Sequence, residues 1–252
     1  MLSSTKRFSN RVDNYIRYRP SYPREIVELL CTECGLTSDA FVADIGSGTG
    51  KLTELLLPHA KQVFAIEPNL EMRQAGERLL EAHPSFTSIN GAAETTTLPN
   101  HSIDLVVAGQ AFHWFEPVRT KAEFMRILKP GGFVALIWND RQMDSTPFLA
   151  AYEELLQGLG TDYQQVNHRN VDEDKLHDFW GRQPQLKSFP YEQLFDFDGL
   201  KGRLLSSSYA PAEGEPGCDE MLLKLRAIFD GHQQNGQVAF RYNTLVYYGS
   251  YA

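Results

Sequence analysis

Phe41-Val-Ala-Asp-Ile-Gly-Ser-Gly-Thr-Gly-Lys-Leu-Thr-Glu-Leu-Leu-Leu57 is the stretch that decides the fold. Residues 41–45 are apolar apart from Asp44, the pattern of a buried strand. Leu52, Leu55 and Leu56 fall at helical spacing. Between them stand Gly46, Gly48 and Gly50, which let the backbone turn sharply and let a ligand come close. Strand, glycine turn and helix start together offer free N–H groups to a polar ligand. A plain packing turn seldom needs so many glycines.

Three nucleotide-type readings compete. A P-loop would need Ser or Thr where Leu52 stands and a glycine where Ile45 stands. A dinucleotide fingerprint would need glycine or alanine where Lys51 stands. What remains is Asp44-Ile-Gly46-Ser47-Gly48-Thr-Gly50, a G-x-G-x-G turn with an acid two residues before it. This stretch resembles the cofactor motif of class I S-adenosylmethionine (SAM) methyltransferases. The resemblance implies that the turn meets the methionine part and ribose of SAM.

Residues downstream extend the pattern. A second strand over 61–67 ends in Glu67, ~20 residues past the glycines, where nucleoside-binding α/β folds place a carboxylate on the ribose. Pro68 and a helix containing Met72 follow. Residues 86–90 read as a third strand, leading into Gly91-Ala92-Ala93-Glu94. In the family this loop holds the adenine and often carries an acid where Ala92 stands here. Adenine recognition is therefore expected from backbone groups around Ala93, or from Glu94. A fourth strand over 102–108 ends in Gly109-Gln110-Ala-Phe112-His113-Trp114. A helix over 120–128, a turn at 129–132 and a fifth strand over 133–138 follow. The resemblance covers roughly residues 40–140.

The flanks are less explicit. Lys6, Arg7, Arg11, Arg17, Arg19 and Arg24 interleave with Phe8, Tyr15, Tyr18 and Tyr22 before and across the break at 19–23. A solvated helix face is preferred there over RNA binding. A helix over 24–34 follows, stopped by Gly35. Beyond residue 139, helices are expected over 147–158, 171–179, 199–206 and 219–234, and strands over 191–197 and 238–248. The alternation implies a parallel sheet. With the resemblance it becomes an α/β, doubly wound, mostly parallel seven-stranded sheet whose last strand is antiparallel. The chain reads as a single domain: an N-terminal helical lid (1–35), a SAM-binding core (36–140), then cap helices and final edge strands (141–252). Tyr18 and Arg19 are the lid residues expected at the cofactor.

Composition bounds the partners. The 252 residues carry a net charge of −8, which argues against double-stranded nucleic acid. No apolar run is long enough to span a bilayer, and residues 1–10 lack a secretory h-region. Cys31 and Cys34 form a lone C-x-x-C near a helix end, read as reduced thiols rather than a metal or redox site. A cytoplasmic monomer or homodimer without metal is expected.

Methyl transfer is an in-line displacement, so the protein's work is alignment and exclusion of water. His113 is the candidate base, since it lies past the carboxyl end of the fourth strand, where open α/β sheets bind ligands. Gln110 is expected to face the cofactor, with Phe112 and Trp114 walling the acceptor pocket. A pocket-lining His113 is the competing role. Residues 109–114 and Tyr18-Arg-Pro-Ser-Tyr-Pro23 resemble the trans-aconitate methyltransferase-like subgroup. That points to a small acceptor such as a carboxylate. Two alternatives remain: a nicotinamide-dependent oxidoreductase, and a non-catalytic SAM-binding protein.

Overall fold

The structure, a computed structural model, describes residues 12–161, 163 and 173–251. The readings for Lys6, Arg7, Phe8, Arg11 and the start of the 171–179 helix lie outside the described residues. The strands are β1 (Phe41–Ile45), β2 (Gln62–Ile66), β3 (Phe86–Ile89), β4 (Ile103–Gly109), β5 (Leu128–Arg141), β6 (Gln185–Phe195) and β7 (Val238–Ser250). The helices are α1 (Val12–Tyr18), α2 (Glu25–Glu33), α3 (Lys51–Leu56), α4 (Leu70–Leu80), α5 (Pro117–Ile127), α6 (Pro147–Leu159), α7 (Glu173–Trp180), α8 (Phe197–Leu205) and α9 (Cys218–His232).

The seven strands form one mixed sheet in the order β3-β2-β1-β4-β5-β7-β6. β1 pairs in parallel with β2 and β4, as do β2 with β3 and β4 with β5. β7 is antiparallel to both its neighbours, β5 and β6. Chain order reverses between β1 and β4, the switch point at which such sheets bind ligands.

Why the central strands are apolar throughout is plain from the two cores. Val42, Val63, Leu105 and Ile137 face Ile26, Leu30 and Leu56 of α2 and α3. Ala43, Ile66, Val106 and Leu136 face Phe124 of α5 and Phe179 of α7. Neighbouring residues thus point into opposite layers, and each buried aliphatic chain contributes about 1.5–3 kcal/mol. A third cluster joins α6, α8 and α9 over the start of β7, with Tyr152, Leu204, Leu225 and Phe240 at its centre.

β5 departs from expectation. Residues 129–132, read as a turn before the strand, lie inside it as a bulge: Ile103 pairs with Leu128, but Leu105 pairs with Phe133. Gly131, at φ +79°, absorbs the extra chain. At its other end β5 continues past Trp138, because Asn139 and Arg141 find partners in Thr244 and Tyr242 of β7. That extension brings Asn139, Asp140 and Arg141 to the wall of one cavity.

Candidate active site

The glycine turn leaves β1 at the switch point. Gly46, Gly48 and Gly50 all have positive φ, at +69°, +59° and +85°. A Cβ on Gly46 would lie 2.7 Å from Ala111 Cβ, and one on Gly50 would lie 2.5 Å from Leu80 Cδ1. At Gly48 it would meet, among the described residues, only Met72 Cε, at 3.4 Å. Gly46 and Gly50 are therefore held by packing, while Gly48 borders open space. The Gly46 and Ser47 amides donate to Ile66 O at 2.8 and 3.1 Å. The Gly48 amide donates to Glu67 Oε2 at 2.9 Å, and the Asn69 amide to Glu67 Oε1 at 2.8 Å. One carboxylate thus ties the turns after β1 and β2 together. Burial pushes the Glu67 pKa up, opposed by the two amides and by Arg73.

Asp44 is fully buried at the end of β1. Its Oδ2 accepts from Thr53 Oγ1 at 2.6 Å, while Oδ1 has no hydrogen-bond partner among the described residues. Burial pushes its pKa up to about 7, against the Thr53 bond and with help from Glu67. A buried carboxylate oxygen left without a donor favours a cationic group beside it.

Two cavities meet here, and both are lined by Tyr15, Gly46, Gly109, Gln110 and Trp114. One reaches over Gly48, Glu67, Pro68, Met72, Ala93 and Glu94. The other reaches over Arg19, Asp44, Ser47, His113, Arg141, Arg203 and Tyr209. Gln110 sits at their junction at φ +56°, its amide donating to Ile137 O at 2.8 Å and its Nε2 to Asn139 O at 3.3 Å. Such a backbone in a non-glycine residue persists only where its surroundings impose it.

Three expected residues lie elsewhere. Tyr18 lines neither cavity; its ring packs on Gly202 of α8, and Tyr15, one turn earlier on α1, faces the site. Gly50 lines neither, because it starts α3. Phe112 is buried against Phe115, Trp138 and Phe179 rather than walling a pocket. His113 and Trp114 do line the second cavity, with ring centroids 4.8 Å apart.

The sequence pointed to Arg19 in that cavity but not to Arg141, Tyr163, Arg203 or Tyr209. Arg141 pairs with Glu153 of α6, and Tyr163 donates to the same Glu153 Oε2 at 2.7 Å. Arg19 donates to Ser206 O at 3.0 Å and lies 5.5 Å from the Tyr15 ring centroid. Burial, then the charge of Arg203, pushes the Arg19 pKa down. Burial alone would raise Tyr209, yet Arg203, Arg19 and Arg141 bring it below its ordinary value. The loop under the first cavity is also anchored by an unforeseen residue. Glu123 Oε1 accepts from Thr96 N at 2.7 Å and from Thr96 Oγ1 at 2.6 Å. Glu94 Oε1 accepts from Glu116 N at 2.8 Å.

Residues 43–136 match the family model described as a methyltransferase domain. An uncharacterized methyltransferase of Mycobacterium tuberculosis is 39% identical over 134 residues, 53% of this chain and 52% of that relative. An uncharacterized methyltransferase of Schizosaccharomyces pombe is 34% identical over 151 residues, 60% of this chain and 59% of that relative. The chain thus spans between half and six tenths of the curated relatives it matches. A solved structure described as a candidate type II methyltransferase, from Anaeromyxobacter dehalogenans, superposes with a TM-score of 0.65 at 23% identity, covering 92% of this chain and 98% of that one. That likeness is one of fold. The family match spans residues 43–136, the two relatives match over about half to six tenths of the chain, and the solved structure shares the fold.

Proposed function

We propose that the protein is a SAM-dependent methyltransferase acting on a small molecule. The observation that carries this reading is the pair of cavities meeting at Gly46, Gly109 and Gln110, outside the carboxyl ends of β1 and β4. The residues present suit the cofactor. Glu67 can accept from a ribose diol, since each carboxylate oxygen keeps a lone pair beyond its backbone bond. Asp44 offers an unpartnered buried oxygen to a cationic group, Ala93 and Glu94 line the adenine side with Pro68, and Gly48 leaves space for close approach. Bound there, SAM would supply a methyl group on a sulfonium, already activated for displacement.

The chain's own residues hold and align. Gln110 and Trp114 border both cavities and would fix the acceptor beside the cofactor. His113 is placed to accept a proton from the acceptor or to wall it. α1 would act as the lid, with Tyr15 and Arg19 over the site. The arginines of the second cavity support the trans-aconitate-like subgroup and a carboxylate acceptor. The three cysteines are free, which suits the cytoplasm. Among the described residues no helix is long and apolar enough to cross a membrane.

Calorimetry with SAM and with its demethylated product tests the cofactor. Wild type should bind both, and Glu67→Ala should bind more weakly by about 1.5–3 kcal/mol while melting normally. Unchanged affinity in a folded Glu67→Ala would remove Glu67 from the site, and no binding by the wild type would end the proposal.

A further inference from the structure

Arg203 is 5% exposed, on α8 of the cap, and lines the second cavity. Its Nη1 donates to Ser207 Oγ at 3.1 Å and its Nε to Tyr242 Oη at 3.4 Å. Both partners are neutral hydroxyls, and no carboxylate pairs with Arg203 among the described residues. Its Nη2 makes no hydrogen bond among them either. Arg141, in the same cavity, shows what a structural arginine does here: it is buried against Glu153. Arg19 adds a second guanidinium without a carboxylate partner among the described residues, bonded to the Ser206 carbonyl. Burying a guanidinium without a counter-charge is costly, and two on one wall repel each other. A buried guanidinium without a counter-charge is stabilised in use by a bound anion, and guanidinium forks fit oxyanions well.

We propose that Arg203 is the specificity-determining residue for the acceptor, seating an oxyanion group of it against the cap, with the Tyr209 hydroxyl beside it. This deepens the methyltransferase reading above and rests on it for the word acceptor alone. Arg19, on the lid side with Asp44 and Ser47, remains free to serve the methionine carboxylate of the cofactor. Arg203 lies on the cap, where SAM-binding residues are not expected. The chemical class is an anionic small molecule, carboxylate or phosphate.

The test is calorimetry of wild type, Arg203→Gln and Arg203→Lys with malonate, citrate and inorganic phosphate, each with saturating S-adenosylhomocysteine. Wild type should bind at least one anion, more weakly as sodium chloride is added. Arg203→Gln should lose about tenfold or more in that affinity while holding S-adenosylhomocysteine within about twofold. Arg203→Lys should fall between them, and it carries the test if the Gln variant does not fold. Preference for malonate or citrate over phosphate would identify a carboxylate acceptor, and the reverse a phosphorylated one. No anion bound by the wild type, equal affinity in the variants, or an equal loss of S-adenosylhomocysteine would overturn the proposal. Anion binding without S-adenosylhomocysteine binding would leave the seat standing and defeat the methyltransferase reading instead.

Discussion

Asp44 concentrates the tension between stability and binding at the level of a single side chain. Its folded pKa of about 7 lies above its ordinary 3.8. The folded state therefore holds the proton more tightly than the unfolded chain, and the ligand-free protein loses stability as pH rises from about 4 to 7. Asp44→Asn keeps an acceptor for Thr53 and removes the buried charge. We expect the Asp44→Asn variant without ligand to melt a few degrees higher than wild type at pH 8, about 1 kcal/mol, with little difference at pH 4. The same substitution should weaken SAM about tenfold, since a buried carboxylate oxygen would no longer face a cationic ligand. Thermal scans at both pH values, paired with calorimetry, check it; equal melting at pH 8 would mean that the charge is not destabilising. The placement of Asp44 and Glu67 at the ends of β1 and β2 was legible in the sequence, while their partners, Thr53 and the amides of Gly48 and Asn69, were not. Glu123 was not, because its role depends on Thr96 arriving from a loop 27 residues earlier.

Elements bring the site together through contacts that no local pattern encodes. α1 reaches α8 by laying the Tyr18 ring where Gly202 has no side chain. Lys51 Nζ donates to Ile16 O at 2.8 Å, and Asn139 Nδ2 donates to Ser21 O at 2.9 Å. Residues 16–21 are therefore fastened to α8 and to the core by a few polar bonds and one aromatic contact. Gly202→Ala puts a methyl group into the Tyr18 ring and should displace α1 while leaving the sheet intact. Trypsin should then cut after Arg17 several-fold faster than in wild type, at a melting temperature lowered by only a few degrees. Cleavage at the wild-type rate would show that α1 is held by something other than α8. The helices α2 and α5 could be read directly. β5 could not: its bulge at 129–132 and its run to Arg141 come from partners on β4 and β7.

The whole molecule meets acid through Glu123. Hydrogen bonds from Arg126, with Thr96 behind them, hold its pKa at about 2, below the ordinary 4.5, despite burial. A depressed carboxyl contributes stability that is present above pH 4.5 and is lost as pH falls toward 2. The shift corresponds to at most about 3 kcal/mol. Urea melts from pH 6 down to pH 2.5 should show wild type losing stability faster than Glu123→Gln, the two curves converging at the acid end. Parallel curves would remove Glu123 from the acid response.

By itself, the sequence determined the sheet's central strands, the glycine turn and the two acids that flank it. Each of those rests on local chemistry: apolar runs buried on both faces, positive φ that only glycine takes freely, and carboxylates at strand ends. Tertiary structure alone decided which aromatic of α1 meets the site, Tyr15 rather than Tyr18, because Gly202 of a distant helix claims the other. It also decided that Phe112 belongs to the core and that Arg19, Arg141 and Arg203 share one cavity. Those arginines lie far apart along the chain, just past α1, at the end of β5 and on α8. Only the packing of α6, α8 and α9 against β7 brings their charges together, and pairwise distance, not spacing along the chain, sets how strongly charges act on one another.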